Sequence, residues 1–213
     1  MNTPQLQSIE QVSAGWINKY ELTYLLPNGS SIVYEAVSRK PLERFHDQLL
    51  RATSAESGDE TSAHPAPTMP DAVSVVGVTP DENIVLIREF RYPINDWCLA
   101  FPAGLVEPGE DLRACVDREL YEETGYALVP GTDIRPLKQA GLSSTGLTDE
   151  AIRIVFAQVH KVGEPAPEPN EFIEVFEVPL NRMRRFLDEN TLPIGQRAQL
   201  VLELFATTHP QND

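Results

Sequence analysis

The feature that most constrains this chain is an amphipathic segment whose apolar stripe ends in acid. Over residues 110–124 the spacing predicts a helix, with Gly125 where a C-cap glycine belongs. At about 100° per residue, Leu112, Val116, Glu119 and Glu123 share one narrow sector. Cys115 and Glu122 flank it on one side and Leu120 on the other, while Arg113, Asp117 and Tyr121 point away. Carboxylates that continue a core-facing stripe repel one another and lose hydration unless something positive joins them. A hard divalent cation answers that need, because it takes carboxylate oxygens and keeps water and phosphate oxygens as its other ligands. Arg118 can orient or partly neutralise a neighbouring carboxylate by a bidentate contact. A solvated acidic helix end would explain Glu122 and Glu123 taken alone. It does not explain acids in line with Leu112 and Val116.

The rest of the chain reads as strands and helices without strict βαβ repetition, which predicts an α+β or mixed-sheet sandwich. Two β-prone runs around Tyr20–Tyr24 and Ile32–Tyr34 flank Asn28-Gly29, a hairpin signal. Pro41 opens a short helix to about residue 51. Residues 53–70 hold no aromatic residue and no Val, Ile or Leu, which predicts a mobile insertion. His64, inside it, reads as solvated. A second hairpin is expected from residues 72–78 and 84–87, then short strands at 99–101, 134–140, 152–159 and 172–178. Helices are expected at 181–188 and 196–206. The resulting division is 1–52 as an N-terminal β arm with a short helix, 53–70 as the insertion, 71–208 as the main domain and 209–213 as a tail.

Charge and cysteine usage narrow the partners. The 213 residues carry a formal net charge of −15, which opposes nucleic acid or an anionic membrane as the main partner. It does not oppose a small phosphorylated substrate bridged to the protein by cations. No run approaches about 18 apolar residues, so no membrane-spanning helix is expected. Residues 1–11 lack a basic region followed by an apolar run, so no signal peptide is expected and the expected compartment is the cytoplasm. Cys98 and Cys115 form neither a CxxC pair nor a disulfide framework and read as small hydrophobes.

The spacing of the acidic helix and its approach is also specific. Gly104, then Glu110 after five residues, then Arg118-Glu119-Leu120 after seven, then Glu122-Glu123 and Gly125 resembles the Nudix box, with aromatic Tyr126 at its last, usually aliphatic, position. The resemblance implies a Nudix fold, a mixed-sheet αβα sandwich with an N-terminal antiparallel β arm, using Mg²⁺ or Mn²⁺. It implies that Glu119, Glu122 and Glu123, with the backbone carbonyl of Ala103, hold the metal. Arg118 would orient the glutamates, and Glu110 would lie in an outer, structural position.

Beyond the box, Ile87-Arg88-Glu89-Phe90-Arg91-Tyr92-Pro93, Phe101-Pro102-Ala103-Gly104, Gly146-Leu147-Thr148-Asp149-Glu150 and Glu171-Phe172-Ile173-Glu174-Val175 resemble the ADP-ribose pyrophosphatase branch. That likeness implies hydrolysis of ADP-ribose to AMP and ribose 5-phosphate. It implies a homodimer formed through the N-terminal strands, with Trp16, Tyr20, Tyr24 and Tyr34 as candidates to stack on adenine. Substrate contacts are expected from Arg91, Gly104, Leu105 and Glu150, while Arg88 reads as a surface charge. Glu171 is the first choice of catalytic base, ahead of Glu168 and Glu164. Thr145 stands where that branch commonly has Pro, and Ala100 where it commonly has Glu. A nucleotide-sugar such as GDP-mannose or UDP-glucose, or another nucleotide, is therefore the alternative substrate. A non-catalytic nucleotide sensor is the reading from another class; such proteins typically lose box glutamates, and this chain keeps them.

Overall fold

In the computed structural model, residues 3–54 and 69–209 are described. Most of the insertion expected at 53–70, with His64, and most of the tail lie outside the described residues. The chain divides into two compact units: residues 1–70 with 139–152, and residues 71–138 with 153–213.

The first unit is built on an antiparallel sheet of β1 (Gln5–Ser13), β2 (Asn18–Leu25) and β3 (Ser31–Ser38), in that order, followed by helix α1 (Leu42–Ser54). The hairpin read from Asn28-Gly29 joins β2 to β3, with Leu22 opposite Tyr34. Strand β1 was not expected, because its mostly polar residues give only a weak alternation. Tyr20, Leu22, Ala36 and Phe45 form this unit's core. The Tyr20 and Phe45 rings lie 4.7 Å apart, and the Tyr20 hydroxyl donates to the Lys40 carbonyl at 2.8 Å. The segment 141–150 belongs to the same unit. Val37 donates to the Leu147 carbonyl, and Lys40 pairs with Asp149 at 2.8 Å.

The second unit contains β4 (Ala72–Val78), β5 (Asn83–Arg91), β6 (Asp96–Ala100), β7 (Ala103–Leu105), α2 (Leu112–Thr124), β8 (Tyr126–Leu128) and β9 (Arg135–Pro136). After β10 (Gly141–Leu142) in the first unit come β11 (Ala151–Lys161), which begins there and continues into the second, then β12 (Ile173–Pro179), α3 (Met183–Glu189) and α4 (Gln196–Thr208). The sheet of the second unit runs β11-β4-β5-β12, with β6 on β5, β7 on β4, and β8 and β9 on β11. Strand alternation sends neighbouring residues to opposite faces. Val73, Val75 and Val85 pack with Cys115, Val116 and Leu120 of α2. Val76, Ile84 and Leu86 pack with Met183, Ala198 and Leu202 of α3 and α4. The unit is therefore a three-layer αβα sandwich, and the chain is α+β as its sequence suggests.

Two expectations change. The strand expected over 134–140 shrinks to β9, where Arg135 and Pro136 pair with Phe156 and Val155. Pro136 has no amide to donate, and beyond it only the Leu137 amide, donating to the Ile154 carbonyl at 2.9 Å, continues the contact among the bonds described. The helix expected from Glu110 starts at Leu112, because Asp111 caps it, its carboxylate accepting from the Ala114 amide at 2.8 Å. Among the described residues, no helix is long and apolar enough to cross a membrane.

Candidate active site

The acidic half of α2 meets β5, β7 and the loop before β12, all within the second unit. Cys115, Val116 and Leu120 anchor the helix in the core. Glu119 and Glu123 continue that buried side, at 7% and 4% exposure, while Glu122 is half-exposed. Gly125 ends the helix in the left-handed region at φ 68°, its amide donating to the Tyr121 carbonyl. The carbonyl of Gly125 then accepts from Val162 and Gly163, and the Glu122 carbonyl accepts from Ala166. These bonds tie the proline-rich loop to the helix end.

Arg118 organises the acids. Its Nε and Nη2 donate to the two carboxylate oxygens of Glu110 at 2.9 and 3.0 Å. Its Nη1 donates to Glu119 at 2.7 Å and Glu122 at 3.1 Å, and its Nη2 also reaches the Leu105 carbonyl at 3.0 Å. The Glu110 carboxyl is held down at about 2, chiefly by the Arg118 hydrogen bonds. The outer, structural role expected for Glu110 matches this position. The Cys115 thiol is pushed up to about 12 by burial, which makes it inert at neutral pH.

The buried glutamates sit in the opposite electrostatic situation. Burial raises the Glu119 carboxyl even though Arg118 lowers it. Burial raises Glu123 well above the usual carboxylate range; the Ala103 amide, donating at 2.9 Å, opposes this, while Glu119, Glu89 and Glu171 reinforce it. Gly104 leaves room for Glu119: a Cβ there would lie under 3.0 Å from the Glu119 carboxyl oxygens, so that carboxyl would have to move. Gly104 and Ala103 belong to β7, paired with Val73 and Ser74. The box loop and box helix thus fit together through Glu119 against Gly104 and Glu123 against Ala103.

Two further residues converge on these acids. Glu171, at the exit of the proline-rich loop, accepts from the Glu168 amide at 3.0 Å and raises Glu89, Glu119 and Glu123 through its charge. Glu89 on β5 was not singled out from sequence; its carboxylate lies 2.7 Å from Arg91 Nη2. A glutamate at an otherwise core-facing strand position is the one signal that could have found it. Arg91 remains half-exposed beside it.

The donor set fits a hard divalent cation. Glu119, Glu123 and Glu89 are buried carboxylates, and one oxygen of Glu89 has no hydrogen-bond partner. Among the described residues, no three acidic, imidazole or thiol groups stand close enough to surround one ion. Arg118 Nη1 bridges Glu119 and Glu122, and the Ala103 amide fixes Glu123.

The other sequence candidates belong mostly to the first unit. Glu150 belongs to the first unit, where it pairs with Arg39 at 3.2 Å and accepts from Ser143 at 2.8 Å. Tyr20 is buried in that unit's core. Tyr34 donates to the Gly146 carbonyl at 2.9 Å. Trp16 is 75% exposed, with the Arg39 guanidinium 5.4 Å from its ring. Arg88 pairs with Glu174 and lies over the Trp97 ring at 4.9 Å, consistent with a surface charge.

Comparison with known proteins agrees with this geometry. The NUDIX domain model matches residues 68–197. An ADP-sugar pyrophosphatase of Mus musculus is 30% identical over 192 residues, spanning 85% of this chain and 76% of that protein. An ADP-ribose pyrophosphatase of Bacillus subtilis (strain 168) is 37% identical over 113 residues, 52% of this chain and 59% of that protein. A crystal structure of an ADP compounds hydrolase superposes with a TM-score of 0.69 at 22% identity, over 98% of this chain and 95% of that one, which establishes a shared fold.

Proposed function

The chain belongs to the Nudix family as a pyrophosphohydrolase, and from that premise we propose that it hydrolyses ADP-ribose to AMP and ribose 5-phosphate with a divalent cation, Mg²⁺ or Mn²⁺. The observation that carries this reading is the convergence of buried Glu119 and Glu123 beside Gly104 and Ala103, which leaves carboxylates on the core side of α2 without enough positive charge. The cation would be held by Glu119, Glu122, Glu123 and the Ala103 carbonyl. When bound, it neutralises charge on the two phosphates and lowers the pKa of a water.

The chain's own groups do the rest. Arg118 aligns Glu119 and Glu122, and Glu110 fixes Arg118 through two bonds. Glu171 is the candidate base that takes the proton of the attacking water; its charge reaches both Glu119 and Glu123, which supports this role over Glu168 and Glu164. Arg91 is the candidate phosphate contact. Gly104, Leu105 and Glu150 are the remaining substrate candidates.

The reading includes a homodimer through the first unit's sheet. Its support is the edge strand β3, which exposes Ile32, Val33 and Tyr34, a pattern that invites pairing. The partner in this reading is a nucleoside diphosphate derivative, which the −15 charge does not oppose once cations bridge it to the protein, whereas that charge opposes nucleic acid and an anionic membrane. The two free thiols suit a reducing cytoplasm. The names of the ADP-ribose and ADP-sugar pyrophosphatase relatives favour ADP-ribose. Thr145, in place of the proline common in that branch, keeps a nucleotide-sugar as the second reading.

The test is release of monophosphate from ADP-ribose, GDP-mannose, UDP-glucose, diadenosine polyphosphates and NADH, with Mg²⁺ and with Mn²⁺. Preferred cleavage of ADP-ribose supports the proposal. Preference for another compound refutes the substrate, and silence across the panel refutes catalysis.

A further inference from the structure

Glu89 is out of place for a structural residue. It lies on β5, on the same face as Val85, which packs against α2, and its exposure is 9%. Its cross-strand neighbours are Cys98 on β6 and Ile173 on β12, neither of which can match a carboxylate's need for donors. One oxygen, Oε2, is buried without a hydrogen bond. Arg91 Nη2 stands 2.7 Å from that oxygen but off the direction of a hydrogen bond, so the pair is ionic without being directed. Its acidic neighbours are Glu123 and Glu171, and burial together with Glu171 raises its carboxyl against the pull of Arg91.

A carboxylate kept only for packing would cost less as glutamine or leucine. A carboxylate kept only to hold Arg91 would point both oxygens at the guanidinium in the bidentate way. Glu89 does neither. It lies instead on the sheet face that packs against α2, where its charge acts on Glu123.

We propose that Glu89 is a further acidic residue of the divalent-cation site, contributing a carboxylate oxygen from β5, directly or through one water, opposite the glutamates of α2. This rests on the reading of that cluster as a cation site. It assigns the strand a share of the cation's charge balance, and it makes Arg91 the group that neutralises Glu89 when the cation is absent.

The test is Mn²⁺ binding to the substrate-free full chain, read by the electron paramagnetic resonance signal of free Mn²⁺ and by calorimetry. Unsubstituted protein, Glu89→Gln and Arg91→Gln are compared, with circular dichroism to verify folding. Glutamine keeps the volume and removes the charge. The expected result is at least a tenfold weaker Mn²⁺ affinity, or one site fewer, in Glu89→Gln, with affinity kept or raised in Arg91→Gln. Should Glu89→Gln bind Mn²⁺ as the unsubstituted chain does and only raise KM as Arg91→Gln does, Glu89 is a positioning residue for Arg91 and the proposal is overturned. If glutamine prevents folding, Glu89→Asp serves: a weakened affinity supports ligation, and an unchanged one overturns it. Absence of Mn²⁺ binding in the unsubstituted chain would overturn the cation-site reading itself, an outcome distinct from the failure of Glu89 alone.

Discussion

Replacing Gly104 by alanine is the sharpest test of how the box loop and the box helix fit. The backbone at Gly104 is not in the left-handed region, so alanine brings no torsional strain there. Its effect is purely one of contact: the new methyl would stand under 3.0 Å from both oxygens and Cδ of Glu119. To regain ordinary van der Waals separation the carboxyl must retreat by roughly 1.5 Å. Retreat breaks the 2.7 Å bond from Arg118 Nη1, a charge-assisted hydrogen bond of about 1.5–3 kcal/mol. Part of that loss is offset, because burial penalises the charged Glu119 carboxyl and it gains hydration on leaving. The net cost to stability is therefore about 1–2 kcal/mol, or a fall in Tm of roughly 2–8 °C.

The effect on turnover is of another order. A displacement of about 1 Å at a site of this kind costs about 100-fold, and Glu119 moves by more. We expect Gly104→Ala to remain folded by circular dichroism, to melt a few degrees lower and to lose at least about 100-fold in kcat on the preferred substrate of the panel. Shortening the displaced side chain in Gly104→Ala/Glu119→Asp should recover part of the lost rate. Activity within about threefold of the unsubstituted chain would refute the reasoning, because it would mean that the Glu119 carboxyl is free to leave its place without consequence.

Three other perturbations follow from the same site. Glu123→Gln removes a charge whose carboxyl is raised by burial and by three neighbouring acids, so the cation-free protein should melt roughly 2–4 °C higher, as about 1 kcal/mol of relief implies, while turnover is abolished; a lower Tm would contradict the electrostatic account. Glu110 is depressed to about 2 in the fold, so its contribution is fully present above its unfolded value of 4.5 and disappears as pH falls through about 2; urea titrations should show the stability gap between the unsubstituted chain and Glu110→Gln flat above pH 4.5 and closing below it. Arg118→Lys keeps the charge but cannot bridge Glu110, Glu119, Glu122 and the Leu105 carbonyl together, so a 10- to 100-fold loss of kcat is expected with about that of metal affinity, and a near-normal rate would show that charge alone suffices.

The legible parts of the site are those fixed by short-range geometry. Helical periodicity put Glu119 and Glu123 in line with Val116, and both are buried there. Asn28-Gly29 and Gly125 marked a hairpin and a helix end because each needs a backbone that few residues adopt. Strand β1 was hidden because its own residues are mostly polar and its pairing is with β2, and the strand expected at 134–140 is short because the chain passes to the other unit at Gln139. Glu89 was hidden for a related reason. Strand alternation sets Glu89 on the same face as Val85 and Ile87, but among the charges of Arg88-Glu89-Phe90-Arg91 that placement is visible only once pairing with Cys98 on one side and Ile173 on the other is known.

The arrangement of Arg118 explains how such a concentration of acid can fold at all. Glu123 and Glu171 act on each other, Glu171 acts on Glu89 and Glu119 as well, and Arg91 and Arg118 oppose Glu89 and Glu119 in turn. Arg118 spends two nitrogens on Glu110, which is not one of the four. This fixes the guanidinium plane, so its remaining nitrogen holds Glu119 and Glu122 in a defined place. If Glu110 were lost, Arg118 would follow the acids wherever they turned. With Glu110 present, the guanidinium keeps its plane, and the places of Glu119 and Glu122 are set by Arg118 rather than by their mutual repulsion.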